Sequence, residues 1–138
     1  MKPLLSPAAK LLLVFVCMTA AVYGFMIKLP SGFRHIDKEL HSLFYFLAAA
    51  FFNLLFVKRN FVMHVVVFVL LYLFGAGIEL AQEYSNKFFR TRIHGRYDPE
   101  DVKANLNGLL AFSLLWCVVA VLLLLFKKKK TVTPVQNG

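Results

Sequence analysis

Three short stretches carry the residues able to do chemistry, and each is polar on one side only. In "DKELHSLFY", Asp37, His41 and Tyr45 recur at four-residue steps, which puts an aspartate, an imidazole and a phenol on one helix face. In "GAGIELAQEY", Glu79 is followed at i+3 and i+4 by Gln82 and Glu83. In "DVKANLNG", Asp101, Asn105 and Gly108 stand at i, i+4 and i+7. An imidazole beside carboxylates is the material of general acid–base catalysis. Asp37, His41, Glu79 and Asp101 are therefore the candidate catalytic residues, with Glu79 or Asp101 as base and His41 as acid partner or orienter. Tyr45, Gln82 and Asn105 offer hydrogen bonds to a substrate. Arg90, Arg92 and Arg96 can grip phosphate or carboxylate through paired N–H donors, which completes the candidate substrate-binding set.

Each of these residues also has a plainer reading. Asp98 before Pro99 fits a helix N-cap followed by proline at the first helical position. Glu100 and Asp101 would then favour the helix dipole, and Asp37 could cap in the same way. His41 alone fits an interfacial histidine with satisfied hydrogen bonds. Glu79 is harder to dismiss, because a carboxylate at mid-membrane costs about 2.5–3.5 kcal/mol on insertion scales, less near an end. A divalent ion shared by Glu79, Asp101 and His41 has no familiar ligand spacing behind it. No metal ligands are expected, and the residues name no cofactor.

The elements that must position these residues are membrane spans. Of the 138 residues, 59% are hydrophobic and fifteen are Phe, whereas soluble domains run near 45–50% apolar. Runs approaching the roughly 20 residues of a span occur at Ala8–Leu29, His41–Val57, Phe61–Leu80 and Leu109–Phe126. The expected fold is all-α, a four-transmembrane-helix bundle over residues 8–126, preceded by a short segment (1–7) and followed by a basic, disordered tail (127–138). The first run outlasts an ordinary signal-peptide core, continuing through Phe25-Met-Ile27. "VFVC" lacks the small residue a lipoprotein box needs before Cys17. Cys17 and Cys117 fall inside spans and read as buried free thiols.

Net charge is +9, but the bases border apolar spans and form no continuous basic surface. Contact with anionic lipid is the natural use, and no nucleic-acid motif is present. An even number of spans puts both termini on one side. Bases divide evenly between the two sides, so placement decides: the Lys58-Arg59 turn and Lys127–Lys130 lie with the termini, which are expected to be cytoplasmic. "KRN" is short enough to force an antiparallel hairpin. Glu83–Lys103 is the one substantial loop, and Phe88 and Phe89 among bases lay it along the interface.

The start of span two, the end of span three and the start of span four share one membrane face by connectivity alone. Asp37, His41, Glu79, Gln82, Asp101 and Asn105 are therefore expected to converge near one headgroup layer. Gly75-Ala-Gly77 would admit close helix approach. His64 and Asn53 show no partners in the sequence and are expected in helix–helix hydrogen bonds or at the interface.

Together these clusters resemble the VanZ-like family of small bacterial membrane proteins. The resemblance rests on D-K-x-x-H-x-x-x-Y (Asp37, Lys38, His41, Tyr45), E-x-x-Q (Glu79, Gln82), D-x-x-x-N-x-x-G (Asp101, Asn105, Gly108) and Arg96 five residues before the last aspartate. It covers spans two to four. The loop is long for the family, so Arg90 or Arg92 can stand in for Arg96, and Phe112 stands where a small residue is usual. The resemblance implies a multi-pass protein of the bacterial cytoplasmic membrane and cell envelope, with a link to teicoplanin resistance.

Two functions fit these observations. One is an enzyme or binder acting on a phospholipid or lipid-linked envelope precursor at the outer leaflet, although no paired arginine–histidine phosphatase pattern is evident. The other is a non-catalytic lipid- or glycopeptide-interacting protein whose polar cluster is a helix-packing network. Whether the protein is an enzyme stays open. A transporter would need an oligomer to build a pathway.

Overall fold

The computed structural model of the chain describes residues 4–27, 30–92 and 95–130, the last two as backbone only. Helix α1 spans Pro7–Met26, with Ser6 accepting a hydrogen bond from the Ala9 amide at 3.1 Å and proline in the first turn. A single 3-10 turn, Ser31–Phe33, leads to α2, Asp37–Phe52. A π-helical turn, Asn53–Val57, ends that segment, and α3 follows over Phe61–Phe89. The last helix, α4, runs over Pro99–Lys130. All four helical segments are long and apolar enough to cross a membrane, as in a multi-pass membrane protein. No strand occurs among the described residues.

The helices outrun the apolar spans. α2 begins four residues before His41, α3 continues nine past Leu80, and α4 starts ten before Leu109. Hydropathy marks the part of a helix that meets lipid, whereas capping residues mark its ends. α3 stops where Arg90 turns left-handed (φ 53°, ψ 19°) and its amide bonds back to Lys87 O. α4 starts where Asp98 Oδ1 accepts the Glu100 amide at 2.9 Å, as the Asp-Pro pair predicts. The expected loop Glu83–Lys103 therefore shrinks to 90–98, and Phe88 and Phe89 are exposed on the last turn of α3. Lys127–Lys130 continue α4 instead of opening a tail. Lys2, Lys28 and Thr131–Gly138 lie outside the described residues.

The core sits between α2, α3 and α4, with Tyr45, Ala49, Val57, Val67, Leu71, Leu109 and Phe112 packed together. Phe112 fits as an aromatic, edge-on to Phe46 with ring centroids 5.6 Å apart. α1 is peripheral: Ala21 is its one buried residue among those described. Cys17 and Cys117 are free, as expected, but exposed instead of buried. Both thiols are accessible, and a weakly polar thiol costs little in hydrocarbon.

At the end away from the three polar stretches, a second polar group ties α2, α3 and α4 together. His64 meets Asn53 Oδ1 at 2.7 Å through Nδ1 and Ser113 Oγ at 3.0 Å through Nε2, and its ring stacks on Trp116. The two residues without visible partners thus partner each other across the hairpin. Asn53 Nδ2 donates to Ala49 O at 2.7 Å. A side chain claiming that carbonyl accompanies the switch from α to π geometry. Lys10 Nζ donates to Leu55 O at 2.9 Å, pinning the start of α1 to this same end.

Candidate functional site

At the opposite end, the first turns of α2 and α4 and the last turns of α3 meet, as the connectivity requires. Asp37 is the first residue of α2 and does not cap it; Ile36 holds the cap position with no side-chain bond. The Asp37 carboxylate instead reaches forward one turn, to 3.8 Å from His41 Nε2. Asp101, from the first turn of α4, lies 3.9 Å from the same nitrogen. His41 Nδ1 and Asn105 Oδ1 are 2.9 Å apart. An amide oxygen only accepts, so this bond assigns the imidazole proton to Nδ1. Nε2 is left facing two carboxylates.

Lys38 straps the two helices. Its ammonium donates to Asp101 Oδ1 at 2.6 Å and to Asp98 Oδ2. The hydrogen bond from Lys38 holds the Asp98 carboxyl below the ordinary carboxylate range, against the opposing effect of partial burial. Asp98 is thus both helix cap and part of the site. Asn caps as well as Asp, so Asp98→Asn separates the two roles. A pair this exposed contributes about 0–1 kcal/mol, and losing the cap as well costs about 1 kcal/mol more. Thermal unfolding in detergent is expected to rank wild type, Asp98→Asn and Asp98→Ala in falling order, with the larger step at alanine.

Glu79 is only 1% exposed and accepts the Asp98 backbone amide at 3.2 Å. It anchors the backbone at Asp98 from behind and is not on the cavity wall. Tyr45 is equally buried. A Cβ at Gly75 would stand 2.8 Å from both the Tyr45 hydroxyl and Asn105 Nδ2, so glycine there lets both side chains reach the centre. Gly77 faces open space. Gln82 Nε2 donates to Phe25 O at 2.6 Å and joins α3 to the end of α1.

A cavity of about 890 Å³ opens in front of this cluster. One wall is apolar: Cys17, Ala20, Ala21 and Gly24 of α1, Phe25 and Ile27 at its end, and Leu40 and Phe44 of α2. The other is polar, carrying Asp37, Lys38, His41, Gln82, Asp98 and Asp101 together with Arg34, Arg92 and Arg96. These three arginines are exposed and make no ion pair among the described residues. Arg90 is not among the cavity residues; it borders a shallower depression with Glu83, Asn86 and Lys87.

The catalytic and binding candidates therefore divide. Asp37, His41, Asp101, Gln82, Arg92 and Arg96 line the cavity, while Glu79, Tyr45 and Asn105 support it from behind and Arg90 stands apart. Arg34 and Lys38 were missed as site residues. Their signal was position: Arg34 precedes Asp37 by three residues on the same membrane face, and Lys38 lies within the first polar stretch. Chemically, the site offers carboxylates beside an imidazole, and cations poised for an anion, under a greasy wall. Comparison with known protein families, with curated proteins and with solved structures gives no match.

Proposed function

We propose that this cavity takes the phosphate-bearing headgroup of an amphipathic molecule, a membrane lipid or a lipid-linked envelope precursor, with its apolar part laid against α1 and α2. The observation that carries the reading is the pairing of an apolar wall with three exposed arginines that make no ion pair among the described residues. Guanidinium groups bind phosphate through geometry-matched paired donors. α1 buries little of itself against the bundle, so a lipid can enter sideways between α1 and α2.

On this reading the chain is a VanZ-like cell-envelope protein of the bacterial cytoplasmic membrane, termini cytoplasmic and cavity toward the outer leaflet, with a role of the glycopeptide-tolerance kind. Support for that kinship comes from the residues of its three motifs: Asp37, Lys38, His41, Glu79, Gln82, Asp101 and Asn105 lie together at one end of the bundle. A pure helix-packing role accounts for Glu79, Tyr45 and Asn105. It also accounts for Asp98, which caps α4, and for Asp101, since both hold Lys38, but leaves the three arginines without a purpose.

The test is mass spectrometry of lipids retained by the protein after purification in mild detergent, wild type against Arg34→Gln/Arg92→Gln/Arg96→Gln. A hydrogen bond to a charged group contributes about 1.5–3 kcal/mol, and tenfold in affinity is about 1.4 kcal/mol. Losing three guanidinium groups is expected to cut retained phosphate-bearing lipid more than tenfold while thermal stability is kept. The species lost distinguishes a phospholipid from a lipid-linked precursor. An unchanged lipid profile in the folded variant overturns the reading.

A further inference from the structure

We propose that Asp37, His41 and Asp101 form a binding site for one divalent first-row transition-metal ion at the floor of the cavity. The site goes beyond the headgroup reading and stands without it, since none of its residues is an arginine.

The argument begins with His41. Its side chain is 9% exposed, and Nε2 makes no hydrogen bond among the described residues; the Asp37 and Asp101 carboxylates stand 3.8 and 3.9 Å from it. Those separations are too long for a hydrogen bond. They suit two ligands of one ion. Atoms bound at about 2.0–2.1 Å lie about 3.4 Å apart in a tetrahedron and at most about 4.2 Å apart. One ligand atom from each of Asp37, His41 and Asp101 falls within 4.8 Å of the others, and a small carboxylate rotation closes the remainder.

The surroundings agree. A metal-binding imidazole usually donates its other N–H to a carbonyl or carboxylate, which fixes ring and tautomer. Asn105 Oδ1, on a residue only 2% exposed, does this for His41. Lys38 takes the other oxygen of Asp101, leaving Oδ2 toward the histidine. The two carboxylate ligands, Asp37 and Asp101, bring two negative charges to a divalent ion. One nitrogen and two oxygen donors favour Zn²⁺ or Mn²⁺ over Mg²⁺ or Ca²⁺, which prefer all-oxygen shells. Three protein ligands with the cavity in front match sites that keep a position open for water or substrate. No metal ligands are expected from the sequence; Asp37, and not Glu79, joins His41 and Asp101 here, because Glu79 accepts the Asp98 amide.

The experiment uses the full chain in detergent, stripped with EDTA and titrated calorimetrically with Zn²⁺ and with Mn²⁺. One equivalent is expected to bind with a micromolar or tighter Kd. Asp37→Asn and Asp101→Asn should each weaken binding at least tenfold, and Asp37→Asn/His41→Gln/Asp101→Asn should abolish it. Glu83→Gln and Glu100→Gln, on the same membrane face, should change nothing. His41→Gln also disturbs Asn105, so if that change unfolds the chain, Asp37→Asn decides. X-ray absorption of the Zn²⁺ form is expected to give one imidazole and oxygen ligands at about 2.0–2.1 Å. No stoichiometric binding, full binding by the folded Asp37→Asn variant, or a sulfur ligand (Cys17 borders the same cavity) overturns the site. The arginine triple variant keeps metal binding, so this inference and the headgroup reading fail separately.

Discussion

Gly108→Ala is expected to destabilise the bundle by about 3 kcal/mol or more, at the upper end of overpacking effects. A Cβ on Gly108 would stand 2.1 Å from the Ser42 carbonyl oxygen, 2.9 Å from its carbon and 3.0 Å from the Phe46 nitrogen. All three are backbone atoms of α2, so no rotamer change can make room and the helices must separate. That separation reaches the site directly. Ser42 is the residue after His41, and Asn105 lies one turn before Gly108 on α4. Parting the helices there stretches the His41–Asn105 bond and the Lys38 strap together. The measurement is thermal unfolding in detergent with size-exclusion chromatography for monodispersity. Gly77→Ala is the control: its Cβ meets nothing within 4 Å, and removing a mid-helix glycine stabilises by about 0.5–1 kcal/mol. Gly75→Ala should fall between, since it meets side-chain ends, but buried ones. If Gly108→Ala melts like wild type, the α2–α4 contact is not as close as described.

Much of the site was legible because polar residues in apolar helices are conspicuous. The four-residue steps of Asp37, His41 and Tyr45, and the i, i+4, i+7 spacing of Asp101, Asn105 and Gly108, mark the faces that α2 and α4 turn toward the interior. Chain connectivity alone places them at one end. Boundaries were less legible, because Glu79–Phe89 has no glycine or proline to stop the helix once hydropathy falls. The division of labour was not legible at all. Glu79 and Asp37 are both carboxylates at the right depth, but the route of the 90–98 loop gives Glu79 to the Asp98 amide and leaves Asp37 to the cavity. That route follows no periodic pattern. Asn53 and His64 were unpaired in the sequence for a related reason: their meeting depends on how the hairpin closes, not on spacing along one helix.

Lys38→Met should distinguish a strap from a ligand-binding cation. In wild type the ammonium satisfies Asp101, whose side chain is 10% exposed, and Asp98, which is 41% exposed. Removing it leaves Asp98 and Asp101 without the ammonium that bridges them, close to the Asp37 carboxylate. The loss is expected to be about 2–3 kcal/mol at neutral pH, set mainly by the buried Asp101 bond; the exposed half of the pair adds little in water. The pH dependence carries the diagnosis. In wild type, a carboxyl held below its ordinary 3.8 adds stability that is fully present above that value and disappears as pH falls through the folded-state value. The wild-type contribution is therefore flat from pH 7 to about 4 and lost below. In Lys38→Met the sign reverses over that range: acidification protonates carboxylates that now only repel, so the thermal midpoint should rise as pH falls. Lys38→Met/Asp101→Asn should recover most of the loss at pH 7, because the buried charge goes with its partner. If Lys38 instead serves only to touch a headgroup, Lys38→Met will melt like wild type at every pH and alter lipid retention alone.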